Sequence, residues 1–292
     1  MTDVERVGVL GAGTMGHGIA QVAAMAGHPV RLFDPGEGAA QAGLRRIRAN
    51  LDKGVELGKV EAHVREAALE RLTVATSAAE AVGDASLVIE AAPERMELKR
   101  ELLQAVEREV APDTLLATNT SSLSVDGIAE GLEDPGRVLG LHFFNPVHIM
   151  ALVEVVHGPR TRPEGTDRGV AFARGLGKEP IVVRDTPGFA SSRLGVALGL
   201  EAIRMVEEEV ASPADIDRAM TLGYRHPMGP LRLTDLVGLD VRLGIAEYLH
   251  RTLDGETGSE RFRPPDLLRE MVARGDLGKK TGQGFYDWET DG

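Results

Sequence analysis

The segment Gly11-Ala-Gly13-Thr-Met-Gly16 constrains the fold of this chain more than any other feature. It follows a short apolar run, Val7–Leu10, and leads into helical spacing over residues 15–26. A second apolar run, Val30–Phe33, comes next and ends at Asp34. A Gly-x-Gly-x-x-Gly turn alone is a weak signal. A strand, a glycine turn, a helix and an acidic residue after the next strand are together typical of a dinucleotide-binding unit.

Each part of this segment has a predicted physical role. Gly11 permits the tight turn, Gly13 lets a pyrophosphate approach the backbone, and Gly16 lets the helix pack on the strand. The free N–H groups and the dipole at the helix N-terminus favour phosphate. We expect Asp34 to accept hydrogen bonds from the adenosine ribose hydroxyls and to repel a 2′-phosphate. The segment therefore predicts NAD rather than NADP as cofactor; the alternative is a related fold that has lost its ligand.

The alternation of strand and helix patterns predicts two domains. Strand–helix units repeat through residues 1–184, which implies a parallel, doubly wound sheet of the Rossmann type. The charged stretch 37–72 is predicted as helical with weak turns near Gly54 and Gly58, and the next predicted strand covers residues 87–91. Residues 185–292 show almost only helical spacing. We therefore expect an α/β NAD-binding domain, 1–184, followed by a smaller all-α domain, 185–292, for substrate binding and dimerisation.

His142 and Glu154 lie in two apolar runs that a Pro-containing turn joins. The join is too short for a parallel crossover, so an antiparallel pair is predicted late in an otherwise mostly parallel sheet. A hairpin centred on residue 148 places the two side chains opposite each other. A His held by a carboxylate is fixed in one tautomer and is a better base. Beside a dinucleotide site, the pair indicates a base for removing a hydroxyl proton during hydride transfer; taken alone, a structural His beside a strand-edge Glu is the alternative.

Composition excludes several classes of function. The chain has no cysteine, so it has no disulfide, thiolate nucleophile or Cys-based metal site, and no metal is predicted. A net charge of −12 argues against nonspecific binding to nucleic acid or anionic membranes. The segment Met1-Thr-Asp-Val-Glu-Arg6 is acidic and predicts no signal peptide. The apolar stretch 194–206 contains Glu201 and Arg204 and is shorter than a membrane span. We expect a cytoplasmic protein.

Further motifs, in order along nearly the whole chain, give a more specific indication. With them the chain resembles the 3-hydroxyacyl-CoA dehydrogenase family, particularly its monofunctional, short-chain 3-hydroxybutyryl-CoA dehydrogenases. The motifs are Gly11-Ala-Gly13-Thr-Met-Gly16, Glu90-Ala-Ala-Pro-Glu94, Ala117-Thr-Asn-Thr-Ser-Ser-Leu123, His142-Phe-Phe-Asn-Pro146, Leu152-Val-Glu154, Thr186-Pro-Gly-Phe189, His226-Pro-Met-Gly-Pro230 and Gly278-Lys-Lys-Thr-Gly-Gln-Gly-Phe-Tyr286.

The resemblance implies that a homodimer interconverts 3-hydroxyacyl-CoA and 3-oxoacyl-CoA with NAD. It makes His142 the general base and Glu154 its partner, and it places Ser121 on the substrate's 3-oxygen near the nicotinamide. The alternative for Ser121 is a turn or N-cap residue. The resemblance also implies a set of cofactor contacts. For two of them, Lys99 and Lys280, the alternative is that each is a solvated surface charge. That set is Gly11, Ala12, Gly13, Thr14, Met15, Gly16, Asp34, Glu94, Lys99, Asn119, Ser121, Asn145 and Lys280.

One position departs from the family pattern. Ser192 stands where the family's Pro-Gly-Phe-x-x-Asn-Arg motif has Asn, which contacts the region of the substrate carbonyl. A hydroxyl can still donate one hydrogen bond, but it is shorter than an amide. Either Ser192 does the same work through a water, or the substrate differs.

The predicted CoA contacts lie in the helical stretch after the second strand. By the resemblance they include Arg48 and Lys53, in a run that also holds Arg45 and Arg46. A solvated helix face is the alternative.

For the function of the whole chain, the alternatives are an NAD-dependent dehydrogenase of a non-CoA hydroxy acid of the L-gulonate type and a catalytically inactive NAD-binding protein. The 285–288 segment and the apolar helix 194–206 are candidates for the dimer interface, with packing inside the domain as the alternative.

Overall fold

The computed structural model describes residues 4–253 and 259–289. The first half of the segment Met1–Arg6, for which no signal peptide was predicted, lies outside the described residues. The chain divides into two compact units, Met1–Phe189 and Ala190–Gly292. In the described ranges no helix is both long enough and apolar enough to cross a membrane.

The first unit is built on one eight-stranded sheet in the order β3-β2-β1-β4-β5-β6-β7-β8. All neighbouring strands are parallel except β6 and β7, which are antiparallel. The predicted fold class, a mostly parallel sheet with a late antiparallel pair, is therefore confirmed. The strands are β1 Val7–Leu10, β2 Val30–Phe33, β3 Leu72–Val74, β4 Leu87–Glu90, β5 Leu115–Thr118, β6 Val138–Phe143, β7 Leu152–His157 and β8 Glu179–Arg184.

Helices cover both faces of this sheet. In β4, Leu87 and Ile89 belong to one apolar cluster and Val88 to another, so successive residues are buried on opposite faces. This explains why the central strands read as continuous apolar runs rather than as alternating patterns. The helices are α1 Gly16–Met25, α2 Ala39–Glu56, α3 Ala62–Glu70, α4 Ala78–Val82, α5 Met96–Glu107, α6 Val125–Ile128 and α7 Pro163–Gly175, with a 3-10 turn at Pro135–Arg137.

Two elements were not predicted from the sequence, β3 and α4. Strand β3 has three residues, too few for a period of two to stand out from the helical spacing of α3 just before it. Helix α4 has five residues and depends on a cap, since Ser77 accepts a hydrogen bond from the backbone N–H of Glu80. Edge position and capping, rather than apolar periodicity, determine these two elements.

The second unit is helical and has its own apolar core, which includes Val196, Leu200 and Leu249. Its first helix begins at Ser191, because Phe189 has a φ of 48° and cannot belong to a right-handed helix. The helices are α8 Ser191–Glu207, α9 Pro213–Arg218 with a π-helical turn Ala219–Gly223, α10 Pro230–Val237, α11 Leu239–Thr252 and α12 Asp266–Arg274, with 3-10 turns at Ser259–Phe262 and Lys279–Thr281.

The last described segment is fastened to this unit by a buried carboxylate. Asp235 accepts hydrogen bonds from the backbone N–H of Phe285 (3.0 Å), the backbone N–H of Tyr286 (2.9 Å) and the indole N–H of Trp288 (2.9 Å). The aromatic segment 285–288 is thus engaged within its own unit, whereas Leu194 on α8 is exposed.

Candidate active site

A cavity of about 880 Å³ opens at the carboxyl edge of the sheet. In a doubly wound sheet, this edge at the point where strand order reverses, here between β1 and β4, is the expected ligand crevice. Residues that follow β1, β2, β4, β5 and β6 line the cavity together. Among them are the predicted site residues Gly11, Gly13, Thr14, Met15, Asp34, Glu94, Asn119, Ser121, His142 and Asn145.

The glycine turn fits a dinucleotide. Gly11 has a φ of 102°, and a Cβ at Gly16 would overlap the carbonyl oxygen of Gly11, so both positions require glycine. No atom of the described residues lies within 4 Å of a Cβ placed on Gly13, which leaves the backbone open to a ligand. Asp34 accepts hydrogen bonds from the backbone N–H of Ala12 (2.8 Å) and of Gly36 (2.9 Å). Its carboxylate is thereby held at the cavity with further lone pairs for ribose hydroxyls.

His142 and Glu154 form the predicted cross-strand pair. The register of β6 and β7 places them directly opposite, with 2.7 Å between Nδ1 of His142 and Oε2 of Glu154. Both side chains are buried, at 8% and 0% exposure. The carboxylate favours the tautomer with its proton on Nδ1, which leaves Nε2 with a free lone pair. Because His142 also lines the cavity, this pair can accept a proton from a ligand there.

Two aromatic rings support the imidazole, and sequence patterns did not indicate them as site residues. The ring centroids of Phe144 and His142 are 4.5 Å apart, and those of Phe189 and His142 are 5.9 Å apart. Phe189 is buried despite its left-handed backbone conformation. Packed rings on the imidazole restrict its rotation, which helps to keep it aligned with Glu154.

Glu94 organises the loop that carries Ser121. Its Oε1 accepts hydrogen bonds from Oγ1 of Thr120 (2.6 Å) and from the backbone N–H groups of Ser121 (3.0 Å) and Ser122 (3.2 Å). Burial raises the pKa of the Glu94 carboxyl, but the hydrogen bond from Thr120 and the charge of Lys99 outweigh it and leave that pKa below its ordinary value. Glu94 is therefore ionised at neutral pH and fixes the backbone beside the Ser121 hydroxyl.

Lys99 lies beneath this loop rather than at the cavity surface. It is 1% exposed, donates to Glu90 (2.6 Å) and to the carbonyl oxygen of Ala92 (3.2 Å), and lies 3.4 Å from Oε2 of Glu94. It is not among the residues that line the cavity. The alternative for Lys99, a solvated surface charge, is therefore wrong, because its ammonium group is enclosed by protein acceptors. The cofactor contact of Lys99 stays a prediction.

A buried lysine that the sequence analysis did not single out holds the turn after His142. Nζ of Lys178 donates to the carbonyl oxygens of Val147 (2.5 Å) and Met150 (2.7 Å). Burial lowers the pKa of Lys178 below its ordinary value. The Val147 side chain packs against Gly18 of α1, where a Cβ would lie 2.8 Å away. The turn that carries Asn145 is thus docked on the helix that follows the glycine turn.

Asn119 links two strands of the sheet, and four further predicted residues lie on α2 and in the helical unit. Asn119 accepts a hydrogen bond from the backbone N–H of Phe143 (2.9 Å) and so links the ends of β5 and β6. Arg48 and Lys53 are exposed on α2, and Lys53 donates to Glu56 (2.9 Å). In the helical unit, Ser192 is half-buried in the first turn of α8, and Lys280 donates to Asp240 (2.5 Å). Within the described ranges, no group of three or more His, Asp or Glu side chains could hold a metal ion.

A dinucleotide crevice with a carboxylate-held imidazole on its wall defines a nicotinamide-dependent dehydrogenase. Family models give the particular family. Residues 6–186 match the 3-hydroxyacyl-CoA dehydrogenase NAD binding domain, and residues 188–288 match the 3-hydroxyacyl-CoA dehydrogenase C-terminal domain. The chain belongs to the 3-hydroxyacyl-CoA dehydrogenase family, which confirms the resemblance inferred from its motifs.

Individual proteins are similar over almost the entire length. A Mycobacterium tuberculosis protein named 3-hydroxybutyryl-CoA dehydrogenase is 44% identical over 98% of this chain and 99% of its own. The crystal structure of (S)-3-hydroxybutyryl-CoA dehydrogenase PaaH1 from Ralstonia eutropha matches with a TM-score of 0.93 and 38% identity, over 98% of this chain and 99% of that one. The crystal structure of M. tuberculosis FadB2 matches with a TM-score of 0.90 and 44% identity, with the same coverage.

Proposed function

We propose that this chain oxidises the 3-hydroxyl group of a short-chain 3-hydroxyacyl-CoA to a ketone with NAD, and that it catalyses the reverse reaction. The observation that carries this proposal is the buried His142–Glu154 pair, with 2.7 Å between Nδ1 and Oε2, at the wall of a cavity that the glycine turn also lines. Relatives named 3-hydroxybutyryl-CoA dehydrogenase support the choice of a short-chain substrate.

The residues of the chain divide the work of the reaction. NAD, when bound, supplies the acceptor for the hydride that leaves C3. Nε2 of His142 takes the proton of the 3-hydroxyl, and the carboxylate of Glu154 stabilises the imidazolium that forms. In the reducing direction, the imidazolium returns the proton to the ketone oxygen. Catalysis comes from positioning and from preorganised charge, with no covalent step.

Two hydroxyl groups stabilise the developing charge on the 3-oxygen. Ser121 donates a hydrogen bond to it, with its backbone held by the Glu94 carboxylate. Ser192, on the first turn of α8, provides a second donor in the place of the family Asn. Removing one such donor costs on the order of a hundredfold in rate, so both hydroxyls are expected to matter.

The proposal extends to the cofactor, the CoA moiety and the assembly. The glycine turn with Ala12, Thr14 and Met15 binds the pyrophosphate, and Asp34 binds the adenosine ribose. Arg48 and Lys53 bind CoA phosphates, while Lys280 closes over the cofactor from the helical domain. We assign residues 1–184 to NAD binding and residues 185–292 to substrate binding and to formation of a homodimer in the cytoplasm. Exposed apolar side chains of the helical unit, Leu194, Leu222, Tyr224, Leu233 and Val241, support an association surface.

A spectrophotometric assay of NADH consumption with acetoacetyl-CoA tests this function. His142→Ala is expected to lower kcat by about 10²–10⁴-fold, the usual contribution of a general acid–base group. His63→Ala, at an exposed position of α3, is the matched control and should retain activity. Ser192→Asn restores the family residue and is expected to retain turnover.

Three outcomes would contradict the proposal. Turnover of L-gulonate with none of acetoacetyl-CoA would indicate the non-CoA branch of dehydrogenases. NADH binding without turnover of either substrate, unaffected by His142→Ala, would indicate an inactive NAD-binding protein. A monomer by light scattering at micromolar concentration would contradict the assembly but not the reaction.

A further inference from the structure

The helical unit contains a buried guanidinium group that has no counterion among residues 190–253 and 259–289. Arg242, on α11, is 5% exposed, and burial lowers its pKa to about 10. Its Nε is buried without a hydrogen-bond partner, and no carboxylate of the described residues pairs with it. Only Nε of Arg242 is both buried and without a partner, which leaves Nη1 and Nη2 accessible at the surface. A buried charge without a partner is strongly unfavourable, and an anion bound at these two nitrogens would supply what is missing.

The guanidinium lies against a face of α8 that has no side chains. A Cβ on Gly199 would lie 3.4 Å from both Cζ and Nε of Arg242, and a Cβ on Gly195 would lie 4.0 Å from Nη1. The nearby hydroxyl of Thr234 donates to the carbonyl oxygen of Pro230 (2.8 Å) and carries no charge. Ser192, Gly195 and Gly199 are spaced by three and four residues, so they share this face of the helix.

The start of α11 relates Arg242 to a second predicted site residue. Nζ of Lys280 lies 2.5 Å from Oδ1 of Asp240, and a Cβ on Gly238 would lie 3.1 Å from the same nitrogen. The backbone N–H of Arg242 donates to the carbonyl oxygen of Gly238 (2.9 Å), so Arg242 lies one turn further along the same face. Arg242 therefore contacts the Ser192 face of α8 and lies one turn along α11 from Gly238, which Lys280 approaches.

We propose that Arg242 binds a carboxylate at the far end of the acyl chain, so that the enzyme prefers 3-hydroxyacyl-CoA substrates derived from dicarboxylic acids. This inference rests on the proposed function, in which Ser192 contacts the substrate and Lys280 the cofactor. A planar guanidinium with two accessible nitrogens matches a carboxylate in a bidentate pair.

Other ligands satisfy the site less well. A methyl-terminated acyl chain would leave the guanidinium charge unpaired in a still drier environment. The phosphates of CoA are strongly hydrated and suit exposed cations such as Arg48 and Lys53, rather than a group that is 5% exposed. A carboxylate is small, planar and singly charged, and beside Gly195 a Cβ would meet only Nη1 of Arg242, at 4.0 Å.

Matched pairs of substrates test the preference in the wild-type enzyme. Each carboxylate-terminated substrate is compared with a methyl-terminated one of equal chain length: 3-hydroxyglutaryl-CoA with 3-hydroxypentanoyl-CoA, 3-hydroxyadipyl-CoA with 3-hydroxyhexanoyl-CoA, and 3-hydroxysuberyl-CoA with 3-hydroxyoctanoyl-CoA. For at least one pair, kcat/KM is expected to be higher for the carboxylate-terminated member by on the order of thirtyfold or more. Equal or lower kcat/KM for that member in all three pairs would overturn the proposal.

Variants then assign the preference to one side chain. Arg242→Met keeps the length of the apolar stem and is expected to lower kcat/KM for the carboxylate-terminated members relative to their methyl-terminated partners, so that the preference is lost. Arg242→Lys, which retains the charge but not the planar fork, should keep part of the preference. Arg251→Met, at an exposed arginine of the same helix, is the control and should keep all of it.

Thermal unfolding without substrate separates binding from a structural role. If the charge is unpaired in the free protein, Arg242→Met should unfold at the wild-type temperature or above it. A lower unfolding temperature with equal loss on both members of every pair would make Arg242 structural and overturn the proposal. Activity on acetoacetyl-CoA with no carboxylate preference would overturn this inference alone, whereas no turnover of any 3-hydroxyacyl-CoA would overturn the proposed function.

Discussion

Replacing Glu154 by Gln removes one charge from the pair that is proposed to accept the substrate proton. In the structure the carboxylate lies 2.7 Å from Nδ1 of His142, and the side chains are 0% and 8% exposed. An amide of the same size can turn its NH₂ group toward Nδ1, which favours the tautomer with hydrogen on Nε2. That tautomer has no lone pair for the 3-hydroxyl proton, and the imidazolium also loses its counter-charge.

The size of the effect follows from this burial. When the substrate proton moves to His142 in this variant, the imidazolium forms in a buried site without its counter-charge, and an uncompensated buried charge costs about 3–5 kcal/mol. At about 1.36 kcal/mol per tenfold change in rate, this corresponds to a loss of kcat of roughly 10²–10⁴-fold. The glycine turn and Asp34 are untouched, so the KM for NAD should stay within about twofold of the wild-type value.

Steady-state kinetics with 3-hydroxybutyryl-CoA and NAD measure both quantities. Glu179→Gln, at an exposed position of β8, is the matched control for charge removal and should leave kcat unchanged. Glu154→Asp keeps the charge on a shorter side chain and should fall between wild type and Gln. Wild-type kcat in folded Glu154→Gln, verified by circular dichroism, would refute the role of the carboxylate.

Three further predictions concern the cofactor, the turn after His142 and pH. Asp34→Ala is expected to raise the KM for NAD by about tenfold, because a charged hydrogen-bond acceptor is lost. The ratio of kcat/KM with NAD to kcat/KM with NADP should fall, and an unchanged ratio would contradict this prediction. Lys178→Met removes two hydrogen bonds to the turn and should lower both kcat and the free energy of unfolding, the latter by about 1–3 kcal/mol. A midpoint of urea unfolding equal to that of the wild type would argue against this prediction. Burial lowers the pKa of His28 below its ordinary value. Below about pH 6.5 the unfolded chain therefore binds more protons than the folded chain, and the free energy of unfolding decreases as the pH falls toward the pKa of His28 in the folded state. His28→Asn keeps an acceptor for the Glu5 N–H and should reduce this loss in urea unfolding compared between about pH 7.5 and pH 5.5, whereas exposed His63→Asn should not.

Much of the fold and part of the site could be predicted from local patterns. The glycine turn, its flanking strands and Asp34 are close together in sequence, and their chemistry depends on backbone conformation that glycine alone permits. The position of His142 opposite Glu154 followed from symmetry about a short turn, and the structure has that register. The prediction of NAD agrees with the family's NAD binding domain. The assigned catalytic roles remain predictions until the variants are measured.

The amino-acid sequence by itself determined the order of strands and helices apart from β3 and α4, the glycine turn and the pairing of β6 with β7, because these depend on neighbours within one or two elements. Only the tertiary structure decided which charges are buried and what they bind. In the sequence, Lys178 and Arg242 are not distinguished from ordinary surface cations, and Lys99 was expected either at the cofactor or in solvent. In the structure Lys99 is paired with Glu90, Lys178 donates to two carbonyl oxygens, and Arg242 has no counterion among the described residues. Burial depends on residues far apart along the chain, and a periodic pattern of apolar residues contains no information about which distant carboxylate or carbonyl will meet a given charge.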